Sequence, residues 1–110
     1  MSRAPLSLLQ GTVDILILKT LTWAPQHGYG ISQWLKVKTD GELLVEDAAL
    51  YQALHRLERK GWVESEWGIS DTNRRAKFYS ITRAGRDQLK TELASMRRYV
   101  AALFKVLEPA

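Results

Sequence analysis

The first third of the chain has the apolar spacing of two helices. From Leu6 to Ala24, apolar side chains stand almost all the way round, with four in succession at 15–18, which is typical of a helix covered on two sides. Pro25 ends that helix, and the glycines of 26–30 predict a tight connection. A second helix follows from about Gly30 to Lys38, with apolar residues three and four positions apart.

The next apolar pattern predicts a short helix with two different edges. It begins at Asp47 and ends at Lys60, where a basic last turn is followed by Gly61. One edge is apolar enough to dock on a core, and it consists of Leu50, Ala53, Leu54 and Leu57. The opposite edge contains no acidic residue, and it consists of Ala48, Gln52, His55 and Arg59, with Arg56 beside them. Small side chains and hydrogen-bond donors along this second edge indicate a surface that another molecule approaches.

Alternating patterns predict strands on both sides of this helix. Residues 43–45 suit a very short strand before it, while Trp62 to Trp67 and Ala76 to Ile81 alternate with a period of two after it. The polar, basic segment 68–75 joins the latter two as the tip of an antiparallel hairpin. Thr82 then suits the N-cap of a last helix that runs to about Leu107. Its apolar positions follow the seam of a heptad pattern, at Leu89, Leu93, Met96, Val100, Leu103 and Leu107.

This order of elements predicts a mainly α protein with a small β-hairpin wing. Residues 1–82 form a winged helix-turn-helix domain, and residues 83–110 form a long C-terminal dimerisation helix. In a winged helix the third helix enters the major groove of DNA by its N-terminal half, and the wing lies along the backbone or in the minor groove. The free edge of the third helix is therefore expected to face DNA.

Composition narrows the function classes. The 110 residues carry a net charge of +4 and no cysteine, which fits a reducing cytoplasm and excludes disulfides and thiolate metal sites. Asp14 and Lys19 interrupt the first apolar run, which favours a buried helix over a signal peptide or a membrane segment. With two histidines and no glycine-rich phosphate loop, we expect no enzyme, cofactor or metal site. The segment between His55 and Arg86 contains eight basic residues and four acidic ones, and this local excess of positive charge indicates an anionic partner.

The residue types divide the expected DNA contacts into two kinds. Ala48 and Ala49 let the backbone approach the bases, Gln52 suits paired hydrogen bonds to an adenine, and an arginine suits a guanine. The same edge continues with His55, Arg56 and Arg59. For His55, a merely solvated side chain is the alternative. The cations placed for phosphates, which add affinity with little sequence information, are Lys36, Lys38, Arg74, Arg75 and Lys77.

Five ordered motifs span nearly the whole chain, and they are Gly11 to Leu18, His27 to Ile31, Leu50 to Glu58 with Gly61-Trp62, Arg75 to Tyr79 and Thr82 to Gly85. Together they resemble the PadR family of bacterial transcriptional regulators, of the short type with a single C-terminal helix. The resemblance implies a winged-helix repressor that binds pseudo-palindromic operators as a dimer. It also implies DNA contacts at Tyr51, His55, Arg74 and Arg75, with core packing as the alternative for Tyr51. Where the family commonly has Gly-Thr-Leu-Tyr-Pro, residues 48–52 are Ala-Ala-Leu-Tyr-Gln, which predicts a different operator sequence.

The heptad seam and the spare apolar surface of the first helix predict a homodimer with an isologous two-fold interface. A helix that folds back on its own domain is the alternative. The expected interface consists of Leu9, Val13, Ile17, Leu89, Leu93, Met96, Val100, Leu103, Phe104 and Leu107. Such a dimer places two recognition helices about 34 Å apart and so predicts an inverted-repeat operator.

Three further expectations remain. The resemblance implies a candidate small aromatic or drug-like effector near Met96, Tyr99, Val100 and Phe104, with a filled interface as the alternative. The alternative function is a protein-interaction module that dimerises without specific DNA binding. We also expect His27 to be structural and the tryptophans to lie in the core, at Trp23, Trp34, Trp62 and Trp67.

Overall fold

A computed structural model describes residues 11–108 as four helices and a three-stranded sheet. In chain order the elements are α1 (Thr12–Leu21), β1 (Gln26–His27), α2 (Gly28–Lys38), α3 (Asp47–Arg59), β2 (Val63–Ile69), β3 (Arg75–Ile81) and α4 (Arg83–Leu107). The predicted fold class, mainly α with a hairpin wing and a long last helix, is confirmed. The predicted start of the first helix at Leu6 lies outside the described residues, and its end comes at Leu21 rather than Ala24.

The core lies where α1, α2 and α3 meet the sheet. The apolar edge of α3 is buried as predicted, and Leu50, Leu54 and Leu57 are at most 1% exposed. They pack with a cluster drawn from every other helix and from both wing strands, which includes Ile17, Leu18, Ile31, Leu35, Val63, Tyr79 and Leu89. Because each helix contributes a separate stripe to one cluster, the orientation of α3 is fixed by packing along its whole length.

The third strand of the sheet is not the predicted one. The strand order is β1-β3-β2, all antiparallel, with Gln26 opposite Tyr79 and His27 opposite Phe78. The predicted strand at 43–45 is reduced to a single bridge at Leu43. A two-residue strand has no alternating pattern for sequence analysis to detect, and its position is set by the β3 backbone beside it.

The glycines after β1 belong to α2 and not to a connection. Gly28 is the first residue of α2, and the His27 side chain caps the helix, because its Nδ1 accepts a hydrogen bond from the Gly30 N–H at 2.9 Å. His27 therefore has the expected structural role, as an N-cap. The predicted N-cap of α4 is confirmed, because Thr82 Oγ1 accepts from the Gly85 N–H at 3.0 Å. The N-cap position of α3 is Glu46, and it makes no side-chain capping hydrogen bond. Gly61, at φ 78°, closes the end of α3.

The wing is longer and its tip tighter than predicted. Residues Ile69 and Arg75 still pair, so the turn between the strands is confined to 70–74. The Asn73 N–H donates to the Ser70 carbonyl at 2.9 Å, and Asn73 itself has φ 60°, in the left-handed region that asparagine tolerates. A turn followed by one left-handed residue is a common way to connect the two strands of a hairpin, and it orders the tip.

The last helix extends well beyond the core. It has 25 residues, and Met96 is the last of them that packs against the core. Residues 97–108 are all exposed, so about 16 Å of helix at 1.5 Å per residue projects from the rest of the chain. No helix within 11–108 combines the length and apolar character that a membrane crossing requires.

Candidate nucleic-acid interface

The outer edge of α3 presents polar groups to solvent. Gln52, His55 and Arg59 are exposed, and none of them makes a side-chain hydrogen bond or ion pair to another described residue. Ala48 and Ala49 are exposed in the first turn, where their small side chains leave the backbone accessible. These five residues lie where the sequence placed them, and together they form a continuous edge with free donors and acceptors.

Arg56 differs from that expectation. Its Nη2 donates to Asp14 Oδ1 of α1 at 2.7 Å, and both side chains are partly buried. The guanidinium is thus used inside the chain, where it ties the recognition helix to the first helix across 42 positions of sequence. Arg56 lies beside the exposed edge of α3, on the side where α1 supplies a carboxylate. For that reason the sequence pattern of α3 alone did not reveal that the Arg56 guanidinium is paired.

The other end of α3 is tied to the wing. Glu58 accepts a hydrogen bond from Ser65 Oγ of β2 at 2.6 Å, and its second oxygen lies 3.6 Å from Lys77 Nζ of β3. Lys77 is therefore half-buried in an ion pair and differs from the free wing cation that the sequence suggested. One carboxylate contacts both wing strands, and this fixes the angle between the recognition helix and the wing.

The free cations of the wing lie at its tip. Arg74 and Arg75 are both exposed, in the turn and at the start of β3. The Arg75 guanidinium carbon lies 4.7 Å from the ring centre of Trp67 on β2. The expectation that all four tryptophans lie in the core is wrong for two of them. Trp67 is 60% exposed and Trp23 is 70% exposed, whereas Trp34 and Trp62 pack against the core.

A groove of about 780 Å³ runs between the start of α3, the wing and the start of α2. Its walls bring together Tyr29, Tyr51, Trp67, Arg74 and Arg75. Lys36 and Lys38 are exposed in the last turn of α2 but do not line this groove. Sequence analysis missed Tyr29 and Trp67, since it assigned one to a connection and the other to the core.

Tyr51 takes a position between the two expected alternatives. Its side chain is 51% exposed in the groove, and its ring lies against the backbone of Gly28, where an added Cβ would come within 2.6 Å of the hydroxyl. Only glycine permits this approach. Tyr51 is thus held by α2 while its outer face stays accessible to a bound molecule.

The titratable group with a displaced pKa is Tyr79, on the inner side of the groove. Burial raises the pKa of Tyr79 above its ordinary value of 10.0, and the nearby charges of Glu58 and then of ionisable Tyr51 raise the pKa further. The Tyr79 phenol stays neutral at physiological pH, so it contributes no charge to the groove. Within 11–108, no three His, Asp or Glu side chains are grouped closely enough to hold a metal ion.

The residues expected at a dimer interface occupy three kinds of position. Ile17 is fully buried and Leu89 nearly so, both in the core of their own chain, which leaves them no surface for a second subunit. Val13, Leu93 and Met96 are half-buried, and Leu9 lies outside the described residues. The remaining four are exposed on the outer half of α4, and they are Val100, Leu103, Phe104 and Leu107.

Comparison with known proteins identifies the family. A model of the PadR-like transcriptional regulator family matches residues 17–91. An uncharacterised protein of Lysinibacillus sphaericus is 30% identical over 105 residues, which are 92% of this chain and 95% of that protein. A transcriptional regulator structure from Clostridium thermocellum is 31% identical, with a TM-score of 0.80 over 87% of this chain and 90% of that one. Bacillus subtilis PadR in complex with operator DNA is 23% identical, with a TM-score of 0.65 over 74% of this chain and 47% of that one. The chain belongs to the PadR-like family of transcriptional regulators.

Proposed function

We propose that this protein is a sequence-specific DNA-binding regulator that acts as a homodimer on an inverted-repeat operator. The observation that carries the proposal is that one chain exposes both an uncommitted polar edge on α3 and an ordered, cationic wing tip, while Tyr51 of α3 lines one groove with the two arginines of that tip. A protein-interaction module requires neither feature. The fold binds operator DNA in the Bacillus subtilis protein, and the argument for this chain rests on its own side chains.

The α3 edge supplies the sequence discrimination. Gln52 donates and accepts toward an adenine edge, and Arg59 donates twice toward a guanine, while His55 lies between them. Arg74 and Arg75 bind phosphates beside the groove, and the two exposed lysines of α2 add to the same attraction. Arg56 and Lys77 act differently, because their ion pairs hold the recognition helix in place.

The outer half of α4 supports the homodimer. Four apolar residues there, three of them on the heptad seam and the fourth Phe104, are exposed in a single chain, and their side chains bury apolar area only if another apolar surface covers them. A second copy of the same helix offers that surface through a two-fold axis. The interface we propose consists of Val13, Leu93, Met96, Val100, Leu103, Phe104 and Leu107, with Leu9 beyond the described residues.

Repression and release by an effector complete the proposal. A DNA-binding regulator represses most simply by occupying its operator. A small aromatic or drug-like effector would bind between the subunits, near Met96, Tyr99, Val100 and Phe104, in the cytoplasm. To release DNA it must bind the two states of the dimer with different affinity, through the angle between the subunits.

Selection of bound sequences from a random DNA pool at about 0.15 M salt tests the proposal. The wild type is compared with a Gln52→Ala/Arg59→Ala variant and with Lys90→Ala, which removes an exposed charge from α4. We expect the wild type and Lys90→Ala to enrich the same inverted repeat, and the double variant to lose that preference. Enrichment of no sequence by the wild type would contradict specific DNA binding and favour the protein-interaction module.

A further inference from the structure

Trp67 and Arg75 form a cation–π pair on one face of the wing. Trp67 is opposite Lys77 in the ladder and Ile69 is opposite Arg75, so the pair is diagonal between neighbouring strands and its side chains project from the same face. The guanidinium carbon is 4.7 Å from the ring centre, which is within cation–π distance. The indole is nevertheless 60% exposed, so the contact does little to bury apolar surface.

The contact with the ring leaves Arg75 able to donate hydrogen bonds. A guanidinium carries five N–H donors, and a cation–π contact requires no hydrogen bond, so these donors can still bind a phosphate. Lys77, on the same face of the hairpin, is paired with Glu58, whereas Arg75 makes no ion pair with a described residue. Arg75 is thus an oriented cation without a carboxylate partner, in the wall of the groove that also contains Tyr51.

We propose that Trp67 is a positioning residue, which holds the Arg75 guanidinium in the orientation that binds a DNA phosphate at the groove. The proposal rests on the DNA-binding function proposed above. An arginine free in solvent loses rotamer entropy when it binds a phosphate, and a ring that holds it beforehand lowers that cost. Trp67 therefore adds to DNA affinity through Arg75 without contacting a base.

A second cation–tryptophan pair provides a matched control. Trp23 is 70% exposed after α1, and Lys19 Nζ lies 5.9 Å from its ring centre. Neither residue lines the groove. Trp23→Leu makes the same chemical change as Trp67→Leu in a pair of the same kind, and we expect it to leave DNA affinity unchanged.

A double-mutant cycle on operator affinity tests the positioning role. Arg75→Ala should weaken binding and lower the salt slope by about one per half-site. Trp67→Leu should weaken binding by about two- to fivefold per half-site, the size of an exposed cation–π interaction. Trp67→Phe, which retains a ring face, should recover most of that loss. In the Arg75→Ala background, Trp67→Leu should cause no further loss.

Two results would overturn the proposal. One is wild-type affinity for Trp67→Leu, and the other is an equal loss with and without Arg75. If Trp67→Leu instead loosened the wing, it would also misplace Arg74. Binding would then weaken equally without Arg75, which is the second of these results. If the wild type itself shows no preference for a selected operator, the proposed function fails. If it shows that preference and the cycle shows no coupling, only the role of Trp67 fails.

Discussion

The third helix α3 and the outer half of α4 are both amphipathic, but they differ in what covers their apolar sides. Leu50, Leu54 and Leu57 of α3 are covered completely by the same chain. Leu103 and Leu107 of α4 are 39% and 67% exposed, although they continue an equally regular pattern. A regular apolar stripe in a sequence therefore predicts a contact but does not say which chain provides it.

Polar contacts are a second difference between the two helices. Arg56 ties α3 to α1, and Glu58 ties it to both strands of the wing. Beyond Met96, α4 has no such contact to another described element. The helix that we propose reads DNA is thus fixed within each chain, and the helix that we propose pairs the chains depends on its partner. The position of the helix proposed to read DNA and the pairing of the two chains are therefore set by separate contacts.

The largest effect that we expect from this difference is on Leu54. Leu54→Ala should lower the free energy of unfolding by about 2–5 kcal/mol at every protein concentration, because it leaves a cavity in a covered core. Leu103→Ala makes the same chemical change on the exposed side of α4, and its effect should shrink as the protein is diluted below its dimer dissociation constant. Urea denaturation at several protein concentrations measures both. Equal, concentration-independent losses would contradict the distinction between the helices.

A smaller effect on folding, but a large one on assembly, is expected at Phe104. Phe104→Asp should raise the dimer dissociation constant about a hundredfold or more, since it buries two unpaired carboxylates per dimer. Val106→Asp is the matched control, because Val106 is 83% exposed and lies outside the proposed interface, which includes Phe104. Sedimentation equilibrium reports the constant, and circular dichroism reports whether each variant stays folded.

Two outcomes would contradict the prediction for these two aspartate variants. If the wild type is a monomer at micromolar concentration, the outer half of α4 does not pair two chains under those conditions. If the two aspartate variants dissociate equally, the proposed interface around Phe104 is wrong, and another face of α4 would have to be considered.

Periodicity predicted the parts of the fold that repeat. The apolar edge of α3, the hairpin and the long last helix all follow from spacing, because each is several periods long. The features that were missed are short or depend on distant residues. β1 is two residues long and exists because β3 lies beside it, and the role of Arg56 depends on Asp14, 42 positions away.

The candidate site shows the same division. The exposed edge of α3 was predicted by one helix's own geometry, and the basic wing tip by composition. The groove, which α3 lines through Tyr51, was not predictable, because its walls come from three elements whose relative positions are set by the core. Exposure of Trp67 was also missed, since a tryptophan in an alternating strand fits the core pattern until the partner layer is known.

The smallest effect on stability, with a distinct effect on DNA binding, is expected at Gly28. An alanine Cβ there would meet the Tyr51 hydroxyl, and the half-exposed ring has room to swing outward, so the free energy of unfolding should change by less than about 1 kcal/mol. The displaced Tyr51 would no longer be held beside α2. We expect operator affinity to fall by about two- to tenfold, the value of about one hydrogen bond. The loss should disappear in a Tyr51→Ala background, as measured by fluorescence anisotropy on labelled operator. If it persists there, Gly28 contributes through its own backbone, and the placement of Tyr51 by α2 has no part in DNA binding.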